Sequence, residues 1–72
     1  MDGGFTKEKL LRLEDVLERI PISKSAWWAG VRKGIYPRGH KLGPRLRVWT
    51  ESEIELVVQK ILQDAFEKIK DL

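Results

Sequence analysis

Basic side chains are concentrated in the middle of this 72-residue chain, where they could bind a polyanion. Residues 19–50 contain eight lysines and arginines and no acidic residue, whereas the rest of the chain carries six basic and eleven acidic residues. A merely solvated surface mixes charges of both signs, so this segregation indicates a cationic face more strongly than the net charge of +3 does. A membrane surface would also attract such a segment, but the segment lacks a long amphipathic helix to lie in the interface.

Residues suited to catalysis or metal binding are sparse. Ser23, Ser25 and Ser52 have no histidine nearby in the sequence and no nucleophile-elbow motif, and the glycines match neither phosphate-binding pattern. The chain has no cysteine and one histidine, His40, which offers little for metal ligation. We therefore expect a protein that is not an enzyme and that uses no cofactor, metal or small-molecule substrate.

Length and composition indicate one small folded domain. A hydrophobic fraction of 42% suits a folded chain, although 72 residues bury only a thin core. No apolar run approaches the ~20 residues of a membrane span, and the first residues lack the apolar centre of a signal peptide. We expect residues 1–9 to be a flexible leader, residues 10–72 to be the domain, and the protein to be cytoplasmic and nucleoid-associated.

Helix start and stop signals in the first half of the chain are typical of a helix-turn-helix. Glu14 suits the positive end of a first helix, which Pro21 ends because it donates no backbone hydrogen bond. Ser23 is a natural N-cap for a second helix over residues 24–33, and Gly34 suits its C-terminal cap. Two short helices joined by about three residues have the spacing of this motif.

The second helix is a candidate for insertion into DNA, because a helix fits the ~12 Å width of the major groove. We expect Ala26, Trp27, Gly30 and Val31 to face inward. Trp28 points about 100° away from its neighbour, so it either packs under the following hairpin or stacks on DNA. The expected outward residues, of which the first ones usually meet base edges, are Lys24, Ser25, Trp28, Ala29, Arg32 and Lys33.

Turn residues in the second half of the chain indicate a β-hairpin. Prolines and glycines punctuate two short strands, residues 41–42 and residues 46–49. Strict alternation places Trp49 on the same face as Arg47, so we expect the chain to bend near Val48. This candidate wing carries side chains that suit phosphates or a narrow minor groove. They are Arg38, His40, Lys41, Arg45 and Arg47.

Residues 50–53, Thr-Glu-Ser-Glu, form a capping box that predicts an amphipathic third helix over about residues 51–69. At ~1.5 Å per residue this helix is about 28 Å long, which exceeds what a thin core covers. Its last turns are therefore expected to project, with Leu62, Phe66, Ile69 and Leu72 among their apolar residues. The fold class that results is mostly α, a three-helix winged helix-turn-helix with a small two-stranded β-hairpin wing.

Five segments, in this order and spacing, resemble the AlpA-type phage regulatory proteins, small relatives of MerR-like winged-helix domains and of phage excisionases. The segments are residues 11–16, 22–25, 34–37, 41–43 and 48–54. The resemblance spans about residues 11–63 and implies a DNA-reading helix at residues 23–33 and a wing at residues 37–47. It also implies a protein that is encoded by a prophage or an integrative element and that activates expression of an integrase or assists excision. Where the family often has Thr-Ile-Tyr-Arg-Leu, this chain has Ala-Trp-Trp-Ala-Gly, so the DNA target does not carry over.

Charge, elements and resemblance together predict a sequence-specific DNA-binding protein, either a transcriptional regulator or an excisionase-like recombination directionality factor. One such domain covers too few base pairs for strong specificity, so we expect a homodimer or a cooperative array on double-stranded DNA. The alternative is a protein-interaction module that docks an acidic partner, such as an integrase or a polymerase subunit, and leaves DNA alone.

Overall fold

The computed structural model describes residues 7–70, with side chains as far as residue 67. Its architecture is mostly helical with a small antiparallel sheet, which confirms the predicted fold class and is compatible with a winged helix-turn-helix. Of the leader predicted for residues 1–9, residues 1–6 lie outside the described part. The elements are β1 (Leu10–Leu11), α1 (Leu13–Arg19), α2 (Lys24–Arg32), β2 (His40–Gly43), β3 (Leu46–Thr50) and α3 (Glu51–Lys70).

Local capping residues set the two ends of α2. The Oγ of Ser23 accepts a hydrogen bond from the backbone N–H of Ala26 at 3.1 Å, which confirms the N-cap. Gly34 has a φ of 79°, and its N–H bonds a carbonyl of the last helical turn at 3.1 Å, which confirms the glycine cap. The inward orientation predicted for Ala26 was wrong: this residue is exposed, because the buried face of α2 runs through Trp27 and Gly30.

Aromatic rings form the centre of the core. Trp27 is fully buried, stacks on the ring of Tyr36 with 4.5 Å between centroids, and meets Trp49 edge-on at 5.7 Å. Gly30 permits the first of these contacts, because a Cβ at this position would lie 2.3 Å from the Tyr36 ring. The rings thereby tie α2 to β3. The other members of the buried cluster are Leu11, Val16, Ile20 and Ile54.

The sheet has one strand more than the predicted hairpin. Residues Leu10–Leu11 form the additional strand, β1, which pairs antiparallel with β3, so the strand order is β1-β3-β2. β3 is continuous and the irregular pairing lies on β2, so the bend expected near Val48 is not what brings Trp49 inward. Trp49 is buried because the face of β3 that it shares with Arg47 is the face that turns toward the helices.

The capping box at the start of α3 is present as predicted. The Oγ1 of Thr50 accepts a hydrogen bond from the N–H of Glu53 at 3.1 Å, and the Glu53 carboxylate accepts one from the N–H of Thr50 at 2.9 Å. Ser52 donates two hydrogen bonds to the carboxylate of Glu8, and the carbonyl of Lys9 accepts another from the helix at 2.9 Å. The residues that precede β1 are therefore attached to the first turn of α3.

The second half of α3 extends beyond the core. Every side chain from residue 59 to residue 67 is exposed, and three of them are large and apolar: Ile61, Leu62 and Phe66, which are 41%, 55% and 68% exposed. The side chain of Ile69 and the whole of Leu72, which the sequence adds to this stripe, lie outside the described residues.

Candidate nucleic-acid interface

Trp28 joins α2 to the base of the hairpin formed by β2 and β3. Its ring is half-buried and lies 5.8 Å from the ring of Trp49, at an angle of 49°. Lys24 and Arg32 lie one turn before and one turn after it on the helix, and both are exposed. Trp28 also lines two neighbouring hollows, one toward the C-terminal end of α2 and one toward α1. The tryptophan therefore occupies the junction of the helix and the hairpin, with cations around it.

The first hollow is lined by three arginines from three parts of the chain. Arg32 comes from α2, Arg38 from the loop after it, and Arg47 from β3, with Trp28 and Val31 between them. The Nη1 of Arg47 donates a hydrogen bond of 3.3 Å to the backbone carbonyl of Arg38, which holds the loop against the strand. These residues of the helix, the loop and the hairpin share one depression.

The second hollow continues this surface toward the N-terminal end of α1. Trp28 and Arg47 also line it, and the cations of the hairpin turn join them. Because the two hollows share these residues, they form one continuous region, which we call the cationic surface. Its basic side chains are Arg12, Arg32, Arg38, Lys41, Arg45 and Arg47.

Arg12 is a member of this surface that sequence reasoning missed, because it lies outside the acid-free segment. Its position follows from the pairing of β1 with β3: Leu11 stands opposite Trp49, so the next residue emerges beside the hairpin. A sequence signal existed, since Arg12 follows directly after a short apolar segment with the character of a strand. The sequence did not show that this segment pairs with β3.

The cations of this surface lack acidic partners. Among residues 7–67, the only ion pairs are between Arg19 and Glu55, at 2.5 Å, and between His40 and Glu53, at 3.1 Å. The hydrogen bond from Arg19 lowers the pKa of Glu55, so this carboxylate stays ionised and matched to its guanidinium. Both pairs involve residues outside the cationic surface, whose six basic side chains form no ion pair within the described residues and adjoin one carboxylate, that of Glu14.

Two like charges face each other within the hairpin. Lys41 on β2 is the direct cross-strand partner of Arg47 on β3. Like charges in this position destabilise an antiparallel pair, by an amount of the order of a few tenths of a kcal/mol. An anion bound between the two side chains would remove this repulsion.

His40 lies apart from the other residues predicted in the hairpin. It stands opposite Val48, one residue along from the Lys41–Arg47 pair, and neighbouring residues of a strand point to opposite faces. Its Nε2 lies 3.1 Å from the Glu53 carboxylate at the start of α3. The structure therefore places His40 on the face of the hairpin that turns away from the cationic surface.

The other predicted residues of α2 lie on its solvent side. Ser25 and Lys33 are exposed, Ala29 is half-buried, and, like Lys24, none of them lines either hollow. With Arg32 they form an outer face of α2 that is continuous with the cationic surface. This face carries no acidic side chain.

Two observations bear on other kinds of site. Within the described residues no helix is long and apolar enough to cross a membrane. In the same part of the chain no three histidine or acidic side chains come together as a metal site would require.

Three helices, a hairpin and the cationic surface define a small protein whose architecture is compatible with a winged helix-turn-helix. Comparison with known families matches residues 9–62 to the prophage CP4-57 regulatory protein (AlpA) family. The chain belongs to this family and is a phage-type regulatory protein, which confirms the resemblance seen in the sequence. Neither the curated proteins nor the solved structures gave a match.

Proposed function

We propose that this protein is a sequence-specific binder of double-stranded DNA that acts as a transcriptional regulator or as an excisionase-like recombination directionality factor. It works in the cytoplasm on the nucleoid, without enzymatic activity or a cofactor. One observation carries the proposal: cations from α2, from the following loop and from the hairpin adjoin on one surface and form no ion pair within the described residues. A phosphate backbone is the polyanion that such a surface fits, because its charges recur along an extended line.

In this proposal α2 enters the major groove. Ser25 near its start contacts base edges or phosphates, and Ala29 allows close approach because its side chain is small. Arg32 reaches either a phosphate or the edge of a guanine, which an arginine fork contacts through two hydrogen bonds. The exposure of Ser25 and Arg32 and the neutral character of the helix surface between them support this orientation.

The hairpin then follows the adjacent backbone or enters the minor groove. Lys41, Arg45 and Arg47 lie on its α2 side and supply the contacts, together with Arg38 from the loop. His40 takes no direct part, because its ring is held by Glu53 on the other face. The hairpin residues are therefore expected to set affinity and orientation, since phosphate contacts carry no sequence information directly.

Salt dependence of binding to short fluorescent duplexes tests the mechanism. If about five cations meet phosphates, the logarithm of the affinity should fall with the logarithm of the salt concentration with a slope near −4 to −5. A slope near zero, or no binding to a random duplex even in dilute buffer, would contradict the proposal. The second result would instead favour a module that docks an acidic protein such as an integrase or a polymerase subunit.

Replacing Arg32 with alanine separates base reading from phosphate contact. A loss of about 1–3 kcal/mol confined to the selected binding site, with relaxed preference at one base pair, would assign Arg32 to a base. Equal weakening on every duplex would assign it to a phosphate. Lys60→Ala is the matched control, because Lys60 is an exposed cation on α3 and lines neither hollow of the cationic surface.

We propose further that a second copy of the chain binds alongside, as a homodimer or as part of a cooperative array on DNA. The exposed apolar side chains Leu56, Ile61, Leu62 and Phe66 on α3 support this, since a surface helix normally covers such residues. Sedimentation with and without operator DNA measures the stoichiometry. A strict one-to-one complex on DNA, unchanged by Phe66→Gln, would contradict it.

A further inference from the structure

We propose that the hollow between the β1–α1 junction, α2 and the hairpin binds a backbone phosphate of DNA, with Arg12 as a contact that is independent of base sequence. This inference rests on the proposed DNA-binding function. It adds a third part of the chain, the start of α1, to the two that the helix-turn-helix motif supplies. The hollow is lined on its cationic side by Arg12, Lys41, Arg45 and Arg47.

The backbone of Arg12 is held by hydrogen bonds, whereas its side chain forms no ion pair within the described residues. The N–H of Arg12 donates a hydrogen bond to the carboxylate of Asp15 at 3.1 Å, and its carbonyl accepts one from Val16 at 3.0 Å. Its guanidinium is exposed and forms no ion pair within the described residues. A rigid backbone with an unengaged planar fork is an arrangement that suits phosphate, which a guanidinium binds through two parallel hydrogen bonds.

The charge balance of the hollow favours an anion. Four cations line it against one carboxylate, that of Glu14. Two of the four, Lys41 and Arg47, are held directly opposite each other by strand register, so their repulsion is built into the hairpin. A phosphate bound between Arg12 and this pair would relieve the repulsion, whereas an uncharged ligand would not.

The shape of the hollow favours a sugar–phosphate unit over a free ion. Its volume is about 430 Å³, and Trp28 and Leu46 supply apolar surface beside the cations. Deoxyribose presents an apolar face next to each phosphate, which the indole of Trp28 can cover. Because neither the sugar nor the phosphate varies with sequence, contacts made here add to affinity on every duplex.

Arg12→Ala is the direct test. We expect affinity to fall about five- to tenfold, equally on a selected site and on a random duplex, and the steepness of the salt dependence to decrease by about 0.9. Arg12→Lys should restore the salt dependence but only part of the affinity, because lysine keeps the charge and loses the fork. Glu14→Gln should strengthen binding about two- to threefold, since it removes the one carboxylate of the hollow.

Duplexes with a single neutral methylphosphonate locate the contact. At one backbone position the neutral linkage should weaken the wild type but have no further effect on the Arg12→Ala variant. If the two losses add at every position, or if Arg12→Ala weakens only one base sequence, the inference is wrong. Circular dichroism of each variant shows whether it is folded, and Arg12→Lys supplies the comparison if the alanine variant unfolds.

The two proposals fail in distinguishable ways. If the wild-type protein ignores all duplexes in dilute buffer, the DNA-binding function itself is refuted. If the wild type binds DNA with a steep salt dependence and Arg12→Ala matches it in affinity and slope, only the phosphate site at Arg12 is refuted.

Discussion

Basic side chains on the cationic surface differ from those elsewhere in this small protein in whether they form ion pairs. Away from the cationic surface, Arg19 at the C-terminal end of α1 is paired with Glu55 on α3, and His40 on β2 contacts Glu53 in the first turn of α3. On the cationic surface, Arg12 and Arg32 have no acidic partner within the described residues. Both sides contain basic residues, so the count of charges does not distinguish them. Their arrangement does: Arg19 and His40 each contact a carboxylate, whereas the basic side chains of the cationic surface adjoin one another and form no ion pair within the described residues.

Charge reversal at the centre of the cationic surface should have the largest effect. Arg47 lines both hollows, so Arg47→Glu removes a cation and places a carboxylate against the phosphates. We expect DNA affinity to fall about 100-fold at moderate salt, or about 2.7 kcal/mol, because like charges in an interface cost several kcal/mol. The measurement is fluorescence anisotropy with a labelled duplex.

Lys60→Glu makes the same change of charge on α3 and serves as the control. It should change affinity less than about threefold, since only the long-range field of the protein is altered. Equal losses for the two variants would show that net charge, and not the arrangement of the cationic surface, controls binding.

A substitution in the core tests the aromatic packing that joins α2 to β3. Gly30→Ala would place a methyl group where the ring of Tyr36 lies, so the stack of Tyr36 on Trp27 must shift. Overpacking of this kind costs about 1–3 kcal/mol, and the better helix propensity of alanine offsets about 1 kcal/mol of it. We expect a net loss of up to about 2 kcal/mol, visible as a lower midpoint in thermal unfolding.

The second variant for this test is Gly30→Ala combined with Tyr36→Leu. Tyr36→Leu removes the ring that the new methyl group meets. The loss of unfolding free energy caused by Gly30→Ala should therefore be smaller in a Tyr36→Leu background than in the wild type. An unchanged penalty in that background would mean that Gly30 is needed for a reason other than the approach of Tyr36.

The capped end of α3 should give a smaller, pH-dependent effect. Burial raises the pKa of Glu53, but hydrogen bonds from Thr50 and His40 outweigh it, and the pKa lies below the ordinary value of 4.5. A carboxylate with a lowered pKa stabilises the fold above its unfolded-state pKa, and this contribution is lost as the pH falls through the folded-state value. Glu53→Gln keeps an acceptor for the cap but removes the titration.

The expected result is a difference in unfolding midpoint between wild type and Glu53→Gln that is present at pH 7 and shrinks as the pH is lowered from 5 to 3. DNA affinity at pH 7 should be nearly unchanged, because Glu53 faces away from the cationic surface with His40. A difference in stability that is constant with pH would show that the carboxylate acts only as a hydrogen-bond acceptor.

The elements that sequence predicted well are those whose signals are local. The caps at Ser23, Gly34 and Thr50 depend on residues three or four positions away, so their types and spacing were sufficient. The pairing of Leu10 with Thr50 joins residues distant in the chain, and no local pattern specifies it. The extended character of that segment was predictable, whereas its partner strand was not.

The same distinction applies to the candidate site. That Arg32 and Arg47 would share a face follows from a helix-turn-helix followed by a hairpin, and the sequence predicted it as one cationic region. Which of His40 and Lys41 lies on the cationic surface depends on strand register, because a one-residue shift would exchange their faces. The charge pattern predicted a cationic surface, but strand pairing determines which basic residues belong to it.

Arg19 provides the smallest expected effect and the sharpest test of the comparison. It lies within the acid-free segment of the sequence, yet its guanidinium is 2.5 Å from the Glu55 carboxylate. Arg19→Ala should therefore change DNA affinity less than about twofold, and stability by no more than about 1 kcal/mol, because partly exposed ion pairs contribute little. Arg12 lies outside that segment but lines the cationic surface, so Arg12→Ala should weaken DNA binding more than Arg19→Ala does. If the order were reversed in the same anisotropy assay, position in the sequence would predict function better than the presence of an acidic partner, and the distinction between the two sides would be wrong.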